Sequence, residues 1–225
     1  MKTSLSEGGG QMAYPRRVGA ETSKTRAHLL DAAERIMLDE GYAAVTYRVL
    51  AAKAGVTAGL VQYYFPTLDD LFVAMLRQRT DRTYDRLIET LRLHADEPLR
   101  AVWEFNRDDT TAALMMEFLA LANHRKSIRA ELALVSSRFR KAQLQALKVK
   151  WPEYGPFNEE LAPAICIFLL QAIPKMILLE NAVGMPTSHT QVLKLVNRYI
   201  DRIEPRRRTP KTQKVQSKSR SRRSG

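Results

Sequence analysis

The segment Thr57-Ala58-Gly59-Leu60-Val61-Gln62-Tyr63-Tyr64-Phe65 holds the side chains of this 225-residue chain best suited to chemistry on a partner. Thr57 places a hydroxyl where a helix would begin, and the free main-chain N–H groups of a helix start attract anions. Ala58 and Gly59 are small enough to let the backbone approach a ligand closely. Gln62 carries an amide that can pair bidentately with adenine, and tyrosine hydroxyls can donate to phosphate. Upstream, Thr46 offers a second hydroxyl cap. Arg48 stands in the first turn of its helix, where a cation opposes the helix dipole unless an anion is near. Lys53 is as readily an ordinary solvated lysine. Tyr63 and Tyr64 point about 100° apart on a helix, so both cannot face one partner. Tyr63 is assigned to phosphate, and Tyr64 and Phe65 to packing.

Catalytic machinery is missing by comparison. His28, His94, His124 and His189 are dispersed, with no carboxylate or cysteine at ligand spacing, and no glycine loop suits a nucleotide phosphate. Gly8-Gly9-Gly10 reads as linker. Cys166 is the single cysteine, which excludes an intrachain disulfide and a paired-cysteine zinc site, and it lies in an apolar run. An enzyme would need a nucleophile, a base or a metal cluster, and none is visible, so neither metal nor cofactor is expected. A cytoplasmic, reducing setting fits this cysteine usage, and the first 20 residues hold no apolar stretch of signal-peptide length.

The elements that must position these residues are helical throughout, so the fold class is all-α. Leu29, Leu30, Ala33, Ile36 and Met37 make one apolar stripe, closed where Gly41 would supply a left-handed cap. Thr46 caps a short second helix that Gly55 ends, and Thr57 caps a third that Pro66 must terminate. Thr67 with Asp70 three positions later forms a capping-box variant that opens a helix of about 25 residues from Leu68. Further helices are predicted at roughly 98–106, 109–122, 126–151, 158–181 and 187–203, the last carrying a stripe of Val192, Leu195, Val196, Tyr199, Ile200 and Ile203. The second and third helices with their glycine turn have the punctuation of a helix-turn-helix, which lays its second helix in the DNA major groove. Many helical hairpins share that turn and bind nothing, so spacing alone leaves a plain core hairpin open.

From Thr22 to Leu71 the sequence resembles the TetR family of transcriptional regulators. The resemblance is carried by the first helix ending at Gly41, Thr46, Ala51-Ala52-Lys53-Ala54-Gly55-Val56-Thr57, Gly59, Tyr64-Phe65-Pro66-Thr67 and Asp69-Asp70-Leu71. Gln62 departs from the tyrosine that the family often carries, and Leu68 from the lysine that usually follows the cap of the fourth helix. The usual phosphate contacts are thinned, which shifts load to Tyr63, Thr46, Arg48 and the basic N-terminal arm. The resemblance implies a homodimeric repressor that binds an inverted-repeat operator of double-stranded DNA, through Thr46, Arg48, Thr57, Ala58, Gly59, Leu60, Gln62 and Tyr63. It also implies an effector cavity among the later helices, where Trp103, Phe105, Met115, Met116, Phe118, Leu119, Phe139, Phe168 and Met176 are the candidate lining. Core packing is the plain reading of such a set; aromatic and methionine side chains line apolar pockets well, so the effector is expected to be a small hydrophobic molecule, an acyl compound among the options.

The net charge of +12 belongs to the ends. Residues 205–225 hold nine basic residues and no acid, residues 1–28 hold five basic against two acidic, and 29–204 hold 22 of each. The expected organisation is a disordered arm over 1–21, a helix-turn-helix domain over 22–66, a helical effector-binding and dimerisation domain over 67–204, and a basic disordered tail over 205–225. A non-specific architectural DNA binder driven by the tails is the alternative. Residues 161–179 are apolar at 15 of 19 positions, near the length of a membrane span. Pro163, Gln171, Pro174 and Lys175 interrupt the run, and a lysine at that depth is costly in lipid. A helix buried in a protein dimer is the better reading.

Overall fold

The computed structural model describes residues 24–108, 112–185 and 187–205, with helices and no strand among them. The helices are α1 (Lys24–Glu40), α2 (Tyr47–Ala54), α3 (Ala58–Tyr64), α4 (Leu68–Leu93), α5 (Pro98–Asn106), α6 (Ala112–Ala122), α7 (Lys126–Lys150), α8 (Pro156–Glu160), α9 (Pro163–Ala182) and α10 (His189–Ile203). The expected arm over 1–21 and all of the expected tail except Pro205 lie outside the described residues.

The first four helices begin and end as their residue types require. Thr46 accepts from the Val49 N–H, Thr57 from the Leu60 N–H, and Thr67 exchanges bonds with Asp70 in a complete capping box. Gly55 adopts the left-handed conformation at φ 67° that closes α2. Gly41 also has positive φ, 82°, but its ψ of 164° is extended rather than left-handed helical, and a 3₁₀ turn (Tyr42–Ala44) follows that the apolar spacing does not announce.

Two later predictions are corrected. The helix expected over 158–181 is two pieces, because Pro163 forces Ala162 into an extended conformation (ψ 146°) and restarts the chain as α9. The helix expected to reach residue 151 stops at Lys150, and Pro152 turns Trp151–Tyr154 into a 3₁₀ segment.

Apolar burial divides into two cores. The first joins Leu29, Ile36, Leu50, Val61, Phe65 and Phe72 of α1–α4 to Leu114, Phe118 and Leu121 of α6 and Ile128 of α7. The core of the hairpin therefore extends well past residue 66. The second joins Leu87 and Leu91 at the far end of α4 to Trp103 on α5, Leu147 on α7, Ile167 on α9 and Ile200 on α10. Helices α4 and α7 run side by side and in the same direction between the cores. Asp69 meets Arg125 and Ser127, Arg77 meets Glu131 at 2.7 Å, and Asp81 meets Arg138 at 2.7 Å, stepping up both helices together.

The second core contains polar groups. Glu204, at the end of α10, accepts from the main-chain N–H groups of Leu99 and Arg100, both at 2.8 Å, and from the Tyr154 hydroxyl. It thereby satisfies donors at the start of α5, which has no cap of its own. Asn106, Gln143, Gln171 and Arg140 form a chain of side-chain hydrogen bonds across α5, α7 and α9.

Candidate nucleic-acid interface

Helix α3 has one face in the core and one in the open. Val61 is fully buried and Phe65 nearly so, while Leu60 and Tyr64 are half-buried. Val61, Phe65 and Tyr64 pack into the first core with residues of α1, α2 and α4. The opposite face presents Ala58, Gly59, Gln62 and Tyr63, all exposed, and beside it α2 presents exposed Thr46, Arg48 and Lys53. With Thr57, also exposed, seven of the eight sequence-assigned contact residues lie on the open side of the hairpin, and Leu60 is half-buried.

Gly59 is informative because the fold does not require it. A Cβ added there would meet no atom within 4 Å, and its φ is not positive. Gly59 is in the first turn of α3, where glycine costs up to about 1 kcal/mol relative to alanine. That cost is incurred where nothing inside the protein needs the space, so the space is available to an external surface. Arg48 has no ion-pair partner among the described residues, and Lys53 faces Asp39 at 3.9 Å, an exposed contact of little energetic weight.

The angle of α3 is set by contacts that sequence spacing does not reveal. The Tyr47 hydroxyl donates to the Phe65 carbonyl at 3.0 Å, tying the start of α2 to the end of α3. Burial and the nearby Asp70 carboxylate push the Tyr47 hydroxyl above its ordinary range, keeping it a donor. Arg26 lies 5.1 Å from the centre of the Phe65 ring. From the later helices, Glu117 of α6 accepts from the Tyr42 main-chain N–H at 2.9 Å, and Arg125 and Ser127 hold Asp69 just after α3. These hydrogen bonds hold Asp69 below the usual carboxylate range. Tyr47 could have been noticed as a large polar side chain at the first position of α2. Glu117 could not, being 75 residues from its partner.

The nine residues assigned to an effector lining fall in three places. Met115 and Phe118 pack with the first core; Trp103, Phe105 and Phe139 belong to the second; Leu119, Phe168 and Met176 are exposed, and Met116 is half-buried. Phe105 and Phe139 have ring centres 6.4 Å apart, and Tyr84 meets Phe139 edge-on at 5.3 Å. The Trp103 indole N–H donates to Asn197 at 2.8 Å and is thereby used within the fold. No group of metal-ligating side chains occurs among the described residues.

Residues 29–75 match the family of bacterial regulatory proteins, tetR family. The HTH-type transcriptional regulator BetI of Burkholderia mallei is 29% identical over 187 residues, covering 79% of this chain and 92% of that protein. A TetR transcription regulator from Haloarcula marismortui superposes with a TM-score of 0.64 at 16% identity, over 80% of this chain and 97% of that one. A transcriptional regulator from Saccharomonospora viridis, solved in complex with choline, superposes with a TM-score of 0.67 at 17% identity, over 79% and 96%. These two superpositions extend the likeness in fold to the later helices, beyond the matched segment. With the capped helix-turn-helix, its exposed reading face and the match over 29–75 in hand, the chain is assigned to the TetR family of transcriptional regulators.

Proposed function

We propose that the chain binds an inverted-repeat DNA operator as a homodimer, represses transcription from it, and changes operator affinity when a small apolar effector binds. In this reading residues 22–66 are the reader, 67–204 the effector and dimerisation region, and the arm (1–21) and tail (205–225) basic tethers in the cytoplasm. The carrying observation is the exposed strip on α2 and α3, where Gly59 leaves room that the protein itself does not fill. Tyr63 donates to phosphate and Gln62 reads a base edge.

Dimerisation is supported by α9 and α10. Phe168, Leu169, Met176 and Leu179 of α9 and Leu195 and Tyr199 of α10 are all exposed in the single chain. Apolar surface on two neighbouring helices fits a four-helix bundle across a twofold axis. Helix α9 is long and apolar enough to cross a membrane by length and composition, yet it packs through Cys166, Ile167 and Leu170 into the second core. Ile200, on the apolar stripe of α10, is buried within the chain, so Leu195 is the cleaner probe of the interface.

Two symmetric readers imply half-site centres about one helical turn, roughly 34 Å, apart. Footprinting should reveal a protected palindrome; Tyr63→Phe should weaken binding to all sequences, and Gln62→Ala should relax preference at one base pair per half-site. Leu195→Asp should give monomers without operator affinity. Protection without a unique palindrome, lost on deletion of 205–225, would favour the architectural reading that the basic tail supports.

A further inference from the structure

A groove of about 670 Å³ runs along the outside of the molecule between α4 and α7. Its apolar lining is made by Ile88, Leu91, Ala142, Ala146 and Val149, with Tyr84 at one end. Its charged lining is of one sign: Arg138 and Lys141 near Tyr84, and Arg92 toward Val149, with no acidic side chain. Ile88 is 42% exposed and Val149 70%, so apolar surface lies open on both walls. Arg92 is held by Glu89 and Arg138 by Asp81, whereas Lys141 has no ion-pair partner among the described residues.

We infer that this groove is the effector site and that its ligand is a free amphiphilic anion, an aliphatic chain ending in a carboxylate. This rests on the proposed ligand response and narrows its ligand class. Charge complementarity selects the occupant: Arg92 and Arg138 already have carboxylate partners, so Lys141 is the cation an anionic head would answer and a cationic head would oppose. From Arg138 to Val149 the groove extends roughly 16 Å at 1.5 Å per residue, long enough for an extended aliphatic chain. The volume lies within the usual range for small-molecule sites, roughly 300–1,000 Å³.

The position suits a signal to the reader. The carboxylate at Lys141 would lie beside the Arg138 guanidinium, which is 3.7 Å from the centre of the Tyr84 ring and paired to Asp81. Competition for Arg138 loosens a cross-link between α7 and α4, the helix that begins four residues after α3 ends. A ligand changes operator affinity only through such a difference between states. Tyr84, at one end of the groove, also meets Phe139 edge-on at 5.3 Å, so the groove lies next to one of the residues expected to line a cavity.

The test is calorimetric titration of the full chain with dodecanoate and with dodecyltrimethylammonium, which share a tail and differ in charge. Dodecanoate should bind at one per protomer, at least tenfold more tightly than the cation. Lys141→Glu, an exposed substitution, should weaken dodecanoate at least tenfold and leave the fold intact by circular dichroism. Val149→Asp should also weaken it. Equal binding of the two amphiphiles, or dodecanoate binding unaffected by both substitutions, would overturn the groove assignment. Operator affinity measured with and without dodecanoate separates the two claims. Groove-dependent binding that leaves operator affinity unchanged would remove the effector role while establishing the site. An operator response that persists in both variants would keep the ligand response and remove the groove.

Discussion

The two cores stop and seal their helices by different means. Around the first, α2, α3 and α4 are capped by Thr46, Thr57 and Thr67, each bonding to an N–H three residues along its own chain, and no charged side chain is buried. In the second, the start of α5 is capped by Glu204 from 105 residues away, and Arg100, Gln143, Gln171 and Glu204 are all buried. Local capping, at about 1 kcal/mol per threonine, lets a reader hold its shape with short helices. Long-range polar bonds make the distal end depend on four helices being in register at once. The helices of the reader thus start and stop on their own turns even though α6 and α7 share their core, whereas the start of α5 is sealed by partners that a shift of α5, α7, α9 or α10 would disturb.

The largest effect should come from Phe118, which the sequence suggests as a ligand residue and the fold buries completely in the first core. Phe118→Ala should cost about 3–5 kcal/mol, and hydrogen exchange should show protection lost in α1–α3 as well as in α6. Loss confined to α6 would show the first core to be two units.

Glu204→Gln comes next. It removes one of two carboxylate oxygens and leaves one buried donor unsatisfied, costing about 1–3 kcal/mol at low pH. Burial raises the Glu204 carboxyl above its ordinary value of 4.5, while the hydrogen bonds from Tyr154, Arg100 and Leu99 pull the other way. A raised folded-state value means the folded chain holds this proton more tightly. The contribution is therefore full below about pH 4.5 and is lost as pH rises through the folded value. Melting temperatures across that range should show wild type losing ground to Glu204→Gln as pH rises; parallel curves would remove Glu204 from the contrast.

Gly59→Ala should split stability from function. With open space at the Cβ, it should stabilise the reader by up to about 1 kcal/mol and still weaken operator binding. Unchanged affinity would mean that no backbone approaches there.

The smallest effect belongs to Asp69→Asn at the join of α4 with α7. The pair with Arg125 is partly exposed, so the loss should stay below about 1 kcal/mol. Because the Asp69 carboxyl is held below its ordinary range, its contribution is present above that range and lost as pH falls through the folded value. Denaturant midpoints for wild type and variant should converge in acid.

The reading helix, its caps and its exposed face were legible in the sequence because Thr46, Gly55, Thr57, Pro66 and the Thr67–Asp70 box act within three or four residues. The α8–α9 break was carried by Pro163 and hidden by the apolar composition around it. The proposed effector lining was the least legible. Trp103, Phe118 and Phe168 are equally apolar as letters, yet one lies in the second core, one in the first and one at the surface.

The sequence by itself determined an all-α chain, the helix-turn-helix and the family, since periodicity, capping and turn chemistry are short-range. Only the tertiary structure decided that α6 shares the reader's core, that Glu117 holds Tyr42, that Glu204 seals α5 and that α4 and α7 enclose a basic-rimmed apolar groove. Each of these joins residues far apart along the chain, 75 positions for Glu117 and Tyr42 and 105 for Glu204 and Leu99, and such pairings depend on how whole helices pack, which no local pattern encodes.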